Sequence, residues 1–265
     1  MSRLVAIRAS SLPELFDCPA RWEAKHIRGL RTPSSAASQI GTAIHAGAAA
    51  FDASRIVDGG ITVDEAAGAV VDAIYKPEQD VQWDDESPAA AEKICLALHH
   101  RYCTIISPQR DYVAVEIDCD SLDITDLGIR LTGKVDRVRA IGDGYGISDL
   151  KSGKTAVAAN GTVDTSAHAF QMGAYELLAE CSSGLPITEP AEIVGMQTGK
   201  TDKAQRVGTG LISGAREMLL GDGDSPGVLE HAANLVRSGV FYGNPRSMLC
   251  NKKFCPLFER CKYRL

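Results

Sequence analysis

The hydrophobic positions change regime along the chain: helical spacing over roughly the first hundred residues, then alternation over Tyr112 to Lys151, then a mixture of both. The spacing predicts a first helix over residues 10–27. Ser10 or Ser11 caps it, Pro13 and Glu14 suit its first turn, and Leu15, Phe16, Trp22 and Ile27 form its apolar stripe. A Gly/Pro/Ser loop follows at 28–35. Further helices are predicted over 39–57, rich in alanine, over 62–75, where Thr62 and Glu65 make a capping box, and over 87–106. The period then changes to two. Residues 112–119 read as a strand with Val113, Val115 and Ile117 on one face and Ala114, Glu116 and Asp118 on the other. Residues 129–140 alternate again, an Asp143-Gly144 turn follows, and 146–151 make a third strand. A helix over 165–181, a strand over 191–197 and helices near 211–220 and 226–237 complete the pattern. No internal repeat or long linker interrupts it. The order predicts one α/β domain over residues 1–265, a central mixed β-sheet flanked by helices, with a helical region at its start.

Composition narrows the class. The chain has 265 residues, 45% hydrophobic and 23% charged, which excludes disorder and fibrous structure. Residues 1–10 lack the unbroken apolar core of a signal peptide, since Arg3 and Arg8 interrupt it, and no apolar stretch is long enough to cross a membrane. A cytoplasmic protein with no membrane partner is expected. The net charge of −6 argues, on its face, against nucleic acid. Its distribution argues otherwise. Residues 52–126 hold seventeen acids and five bases, whereas 1–31 and 243–265 each hold six bases against three acids and one. Gly208, Gly210 and Gly214 do not complete a dinucleotide-binding fingerprint.

The strongest chemical pattern is Gly133-Lys134-Val135-Asp136 followed by Asp149-Leu150-Lys151 on the next strand. Residues two apart on a strand share a face, so Asp149 and Lys151 point together and Asp136 can meet them. Two carboxylates on one face repel unless a cation lies between them, and oxygen ligands suit Mg²⁺ or Mn²⁺. Taken alone, the D-x-K pair is a weak signal and reads more readily as a solvated strand face with a surface ion pair between Asp149 and Lys151. His45, in Gly41-Thr42-Ala43-Ile44-His45, and Gln171 with Tyr175, four apart on a helix, are the other notable polar residues.

In this order the residues resemble the PD-(D/E)xK nuclease superfamily, and within it the RecB-like branch that includes CRISPR-associated and phage exonucleases. The matching elements are Ser11-Leu12 to Cys18-Pro19 with Trp22, Gly41 to His45, Glu116, Gly133 to Asp136, Asp149 to Gly153, and Gln171 with Tyr175. Val135 stands where the family's name has proline. The resemblance implies a restriction-endonuclease-like core and metal-dependent hydrolysis of DNA phosphodiesters, on single strands or free ends. The settings it implies are recombination, repair, phage replication or CRISPR adaptation in a bacterial, archaeal or phage-infected cell. It implies His45, Asp136, Asp149 and the Leu150 carbonyl as metal ligands and Lys151 as the catalytic lysine. Glu116 becomes an outer or second-metal carboxylate, and Gln171 and Tyr175 hold the DNA backbone or orient the site. Protein partners in a recombination or CRISPR system and a homo-oligomer are compatible with it. The alternative is a non-catalytic DNA-end-binding or scaffold subunit.

Cys250, Cys255 and Cys261 follow a C-x4-C-x5-C spacing among lysines and arginines. Cations favour thiolates, so a metal is the natural reading, with a fourth ligand needed. In the branch resembled, Cys18 joins these three around a 4Fe–4S cluster. Four thiolates suit zinc as well as iron–sulfur. The remote single cysteine favours iron–sulfur, while the x4 gap, where the family more usually has x2, keeps zinc open. Either would tie the Cys18 region to the 250–261 segment.

Overall fold

The computed structural model describes residues 4–57, 59–84, 86–222 and 224–264; Arg3, Asp58 and Asp85, counted in the charge segments above, lie outside them. A short strand, β1 (Val5–Arg8), precedes the first helix. That helix is not continuous over 10–27. Proline lacks a backbone donor and forces the residue before it out of the α region. Cys18, before Pro19, accordingly adopts φ −148°, ψ 89° and separates α1 (Leu12–Asp17) from α2 (Pro19–His26). A two-residue strand, β2 (Ser34–Ser35), leads into α3 (Ala36–Ile56), whose first turn is capped by the Ser35 hydroxyl. Then come α4 (Val63–Tyr75), with the expected Thr62–Glu65 capping box, β3 (Val81–Gln82) and α5 (Pro88–Arg101), which ends in a wider turn over Tyr102–Ile106.

The strands form three sheets. β4 (Asp111–Asp118) begins the alternating region, and β5 (Leu122–Ile124) follows it. The predicted strand over 129–140 is two strands. β6 (Ile129–Thr132) joins β1 and β5, whereas β7 (Lys134–Ile141) enters the main sheet. The division falls at Gly133, where a Cβ would lie 2.9 Å from both Tyr175 Cε1 and Leu178 Cδ1. Only glycine admits so close an approach of the following helix. β8 (Gly144–Gly153) pairs with β7, α6 (Ala169–Ser183) crosses the sheet, and β9 (Ala191–Gln197) returns parallel to β8. The segment predicted as a helix near 211–220 is a strand, β10 (Val207–Ile212), then a shorter helix, α7 (Ala215–Leu220). Gly208 and Gly210 lie on β10 because another segment crosses them closely: Cβ atoms there would meet Gly161 O at 2.5 Å and Thr165 Cγ2 at 2.6 Å. The final helix is α8 (Val228–Ser238). The main sheet runs β10-β9-β8-β7-β4, with only β8 and β9 parallel to each other.

Apolar side chains cover both faces of this mixed sheet. On β9, Ile193 joins a core with Leu12, Trp22, Met172, Leu178, Leu219 and Leu229, while Val194 and Met196 join α3, α4 and α5 opposite. That alternation is the period-two pattern of a strand buried on both sides. One buried charge stands apart. Arg137 on β7 is fully buried and its Nε lies 2.6 Å from Asp52 Oδ2 on α3. Tyr102 and Ser107 each donate to the same carboxylate at 2.5 Å. The guanidinium also lies over the Tyr102 and Tyr112 rings, 5.6 and 5.8 Å from their centroids.

Candidate metal centre

The site lies where β7 and β8 fork. Their ladder ends at Arg137 opposite Ser148. One position further, Asp136 and Asp149 would face each other, but the Leu150 N–H turns to the Asp136 side chain instead, donating to Oδ2 at 2.9 Å. On the other side of β7, Val115 pairs with Arg137 and Ile117 with Val135, which sets Glu116 opposite Asp136. Glu116 has φ +54°, in the left-handed region that few non-glycine residues adopt. Three acids on three neighbouring strands thus stand in one row.

Helix α3 brings the histidine to that row. A Cβ at Gly41 would lie 3.0 Å from Ser152 Oγ, so the missing side chain lets α3 approach β8. One turn later, His45 Nε2 lies 3.0 Å from the Leu150 carbonyl oxygen and Nδ1 lies 3.4 Å from Asp136 Oδ2. Ligand atoms of His45, Glu116 and Asp136 all fall within 4.8 Å of one another, the only such group of three or more among the described residues. A neutral imidazole carries one proton, so it cannot donate to both oxygens. Glu116 Oε1 is buried with no hydrogen-bond partner among the described residues. Facing acceptors and an orphaned carboxylate oxygen are what a cation resolves, and the N and O donors fit a hard divalent ion. A cavity of about 510 Å³ lined by Ser38, Gly41, Thr42, His45 and Glu116 gives access.

Asp149 belongs to a second cluster beside the first. Its Oδ2 lies 2.5 Å from Lys151 Nζ, and Gln171 Nε2 donates weakly to Oδ1 at 3.5 Å. Burial, reinforced by the nearby Asp136 charge, pushes its carboxyl up to about 6 against the opposing pull of Lys151 and His45. Tyr175, one turn after Gln171, is buried, and its phenol is raised above the usual range by that burial and by Asp149. His168, which carries no signal in the sequence, is pushed down to about 4 by burial and by the Lys151 charge, so it is neutral at pH 7. Lys134 lies 3.0 Å from Glu116.

This arrangement dictates a pH dependence. In the metal-free protein the raised Asp149 carboxyl contributes stability fully below its ordinary value, and that contribution disappears as pH rises through about 6. A cation favours the ionised form, so Mn²⁺ affinity is expected to fall as pH drops below 6. Calorimetric titration in buffers of different ionisation enthalpy should show more proton release per Mn²⁺ at pH 5.5 than at 7.5. Equal release at both would contradict this account of Asp149.

A profile of the PD-(D/E)XK nuclease superfamily matches residues 7–262. The chain belongs to this superfamily. Members of this nuclease superfamily are usually metal-dependent, and a nuclease of this kind acts on DNA. A search of curated proteins finds no match. No helix among the described residues of this nuclease-superfamily chain is long and apolar enough to cross a membrane.

The four cysteines are brought to one place. Cys18, Cys250, Cys255 and Cys261 are free thiols lining one small cavity with Arg21, Asn244 and Tyr263. Burial raises the Cys255 thiol, and neighbouring Cys18 and Cys250 raise it further. The break at Cys18 lets the backbone N–H of Asn244 donate to its sulfur at 3.4 Å, and Ala20 N donates to Tyr242 O at 3.0 Å. The basic segments do meet here, around a cavity of about 630 Å³, but much of their charge is neutralised locally. Arg21 and Lys25 pair with Glu14, and Lys253 with Asp84. Burial alone would raise the Glu14 carboxyl; His26, Lys25 and Arg21 outweigh it and hold it at about 2.

Proposed function

We propose that the chain is a divalent-metal-dependent DNA exonuclease that acts on single strands or free ends. The observation that carries this is His45, with oxygen acceptors at both ring nitrogens, beside the orphaned Glu116 oxygen. His45, Asp136, Glu116 and the Leu150 carbonyl would hold Mn²⁺ or Mg²⁺. Such an ion supplies an activated water and a polarised phosphoryl oxygen. Lys151, held by Asp149, would orient the water and offset charge building on the phosphate. Gln171 steadies Asp149, and Tyr175 lies buried beside both. Asp149 is adjacent and becomes a further ligand if its carboxylate leaves Lys151.

The four-cysteine cavity would hold a 4Fe–4S cluster. Four cysteines lining one cavity supply the ligand count that such a cluster takes.

The test combines two measurements. Linear DNA labelled at either end should shorten with Mn²⁺ while circular DNA persists, and anaerobically purified protein should carry about four iron atoms per chain with a broad band near 400 nm. Cleavage of circles at the same rate would refute the exonuclease reading. End binding without cleavage would favour a binding subunit. A colourless preparation with stoichiometric zinc would replace the iron–sulfur cluster.

A further inference from the structure

A second cavity lies against the metal centre and has the character of an anion site. It has a volume of about 270 Å³ and is lined by Arg8, Ser10, Asp118, Cys119, Thr132, Gly133, Lys134 and Tyr175. Two features join it to the catalytic row. Tyr175 forms part of its wall, and Lys134 reaches from it to Glu116 at 3.0 Å. Glu116 in turn lines the cavity that holds His45. The Lys134–Glu116 pair therefore connects the two.

Arg8 is the decisive residue. It ends β1, where parallel pairing sets it opposite Thr132, one residue before the glycine that allows the β6–β7 division. Its side chain is exposed, and no carboxylate pairs with it among the described residues. The other cation lining this cavity, Lys134, is already paired with Glu116. An exposed guanidinium keeps a fork of donors free for a tetrahedral oxyanion. The residues lining the cavity with it include Ser10, Thr132, Tyr175 and Lys134, the last paired with Glu116, and one acid, Asp118. This donor-rich set matches the contacts by which proteins fix nucleic-acid backbones.

We infer that Arg8 and the cavity around it bind a phosphate group of the nucleic-acid strand next to the one at the metal, positioning the strand without reading its sequence. The inference rests on the nuclease reading and supplies the anchor that the metal row lacks. Lys134 would be shared between this phosphate and Glu116. A strand held only at the cation would be free to pivot; a second phosphate contact fixes its direction across the fork.

The test is direct binding, with metal removed by EDTA so that no cleavage occurs. Short fluorescein-labelled single-stranded oligonucleotides of several sequences, with and without a 5′-phosphate, are titrated by anisotropy over a range of salt. Arg8→Ala is expected to weaken binding about tenfold for every sequence and to reduce the slope of log affinity against log salt by about 0.7. Arg8→Lys should keep the slope while binding more weakly, because charge remains and the fork is lost. Equal losses with both kinds of 5′ end assign a backbone phosphate; a loss confined to phosphorylated strands assigns a terminal one. Wild-type binding with unchanged affinity and slope in Arg8→Ala would overturn the phosphate site and leave the nuclease reading intact. No metal-free binding by the wild type would likewise overturn the phosphate site, while the nuclease reading stands or falls on the Mn²⁺ cleavage assay. Because Arg8 is exposed, its urea midpoint should match the wild type, which separates loss of contact from loss of fold.

Discussion

Asp136→Asn should lose metal-dependent cleavage by about a thousandfold while keeping its fold. The two consequences separate because Asp136 has two duties at the fork. As a ligand beside His45 and Glu116 it would hold the cation, and metal stabilisation of the transition state is worth several kcal/mol, about 1.4 for each factor of ten in rate. As an acceptor it receives the Leu150 N–H at 2.9 Å where the β7–β8 ladder ends. An asparagine oxygen can still accept that bond but is a poor metal ligand. Asp136→Ala loses both and should also cost about 1–3 kcal/mol from the unpaired buried donor. Removing the Asp136 charge should in addition let the Asp149 carboxyl fall from about 6, since that charge helps raise it. Cleavage rates, urea midpoints and carboxyl titration by NMR report the three effects. Activity within tenfold of wild type in Asp136→Asn would exclude a ligand role.

Asp52→Ala should destabilise the protein by about 3–5 kcal/mol, the cost of leaving a buried charge without its partner. Asp52 accepts from Arg137, Tyr102 and Ser107, and both it and Arg137 are fully buried. Truncation strands all three donors. The double variant Asp52→Leu with Arg137→Met should recover much of the loss, because an apolar pair removes the desolvation cost as well as the attraction. Urea unfolding of the single and double variants makes the test; a single variant within 1 kcal/mol of wild type would mean that water reaches the pair. The position of the pair also matters to the metal row. Asp52 follows His45 by seven residues, about two helical turns, so α3 is fastened to β7 at two successive points. The recovered double variant should therefore fold well yet bind Mn²⁺ more weakly, since one fastening of His45 is gone.

Much of this site was legible because strand chemistry is local. The D-x-K pair on β8, the period of β9 and the Thr62–Glu65 cap are all set by spacing along the chain. What escaped depends on partners distant in sequence. Residues 129–140 keep their alternation through Gly133, and only the approach of Tyr175 and Leu178 shows why the strand divides there. Val207–Ile212 is glycine-rich and reads poorly as a strand, because its glycines accommodate a crossing segment rather than a pleat. Pro19 is visible, but the helical spacing over residues 10–27 runs straight through it, and the break at Cys18 shows only in the backbone. Glu116 had the weakest sequence signal among the acids, yet a positive φ in mid-strand sets it beside His45 and Asp136.

The break at Cys18 has a consequence for biosynthesis. Its neighbours are Tyr242, Asn244 and the 250–261 segment, more than 220 residues later. At roughly 5–20 residues per second, Cys18 leaves the ribosome some 11–50 s before those partners exist. During that interval α1 can already pack against α6, where Phe16 meets Phe170, but the cysteine cavity itself forms only after the sheet has been made. Closure there is a late event in folding, and a chain cut after α8 would carry the metal row but not the contacts that join its two distant segments.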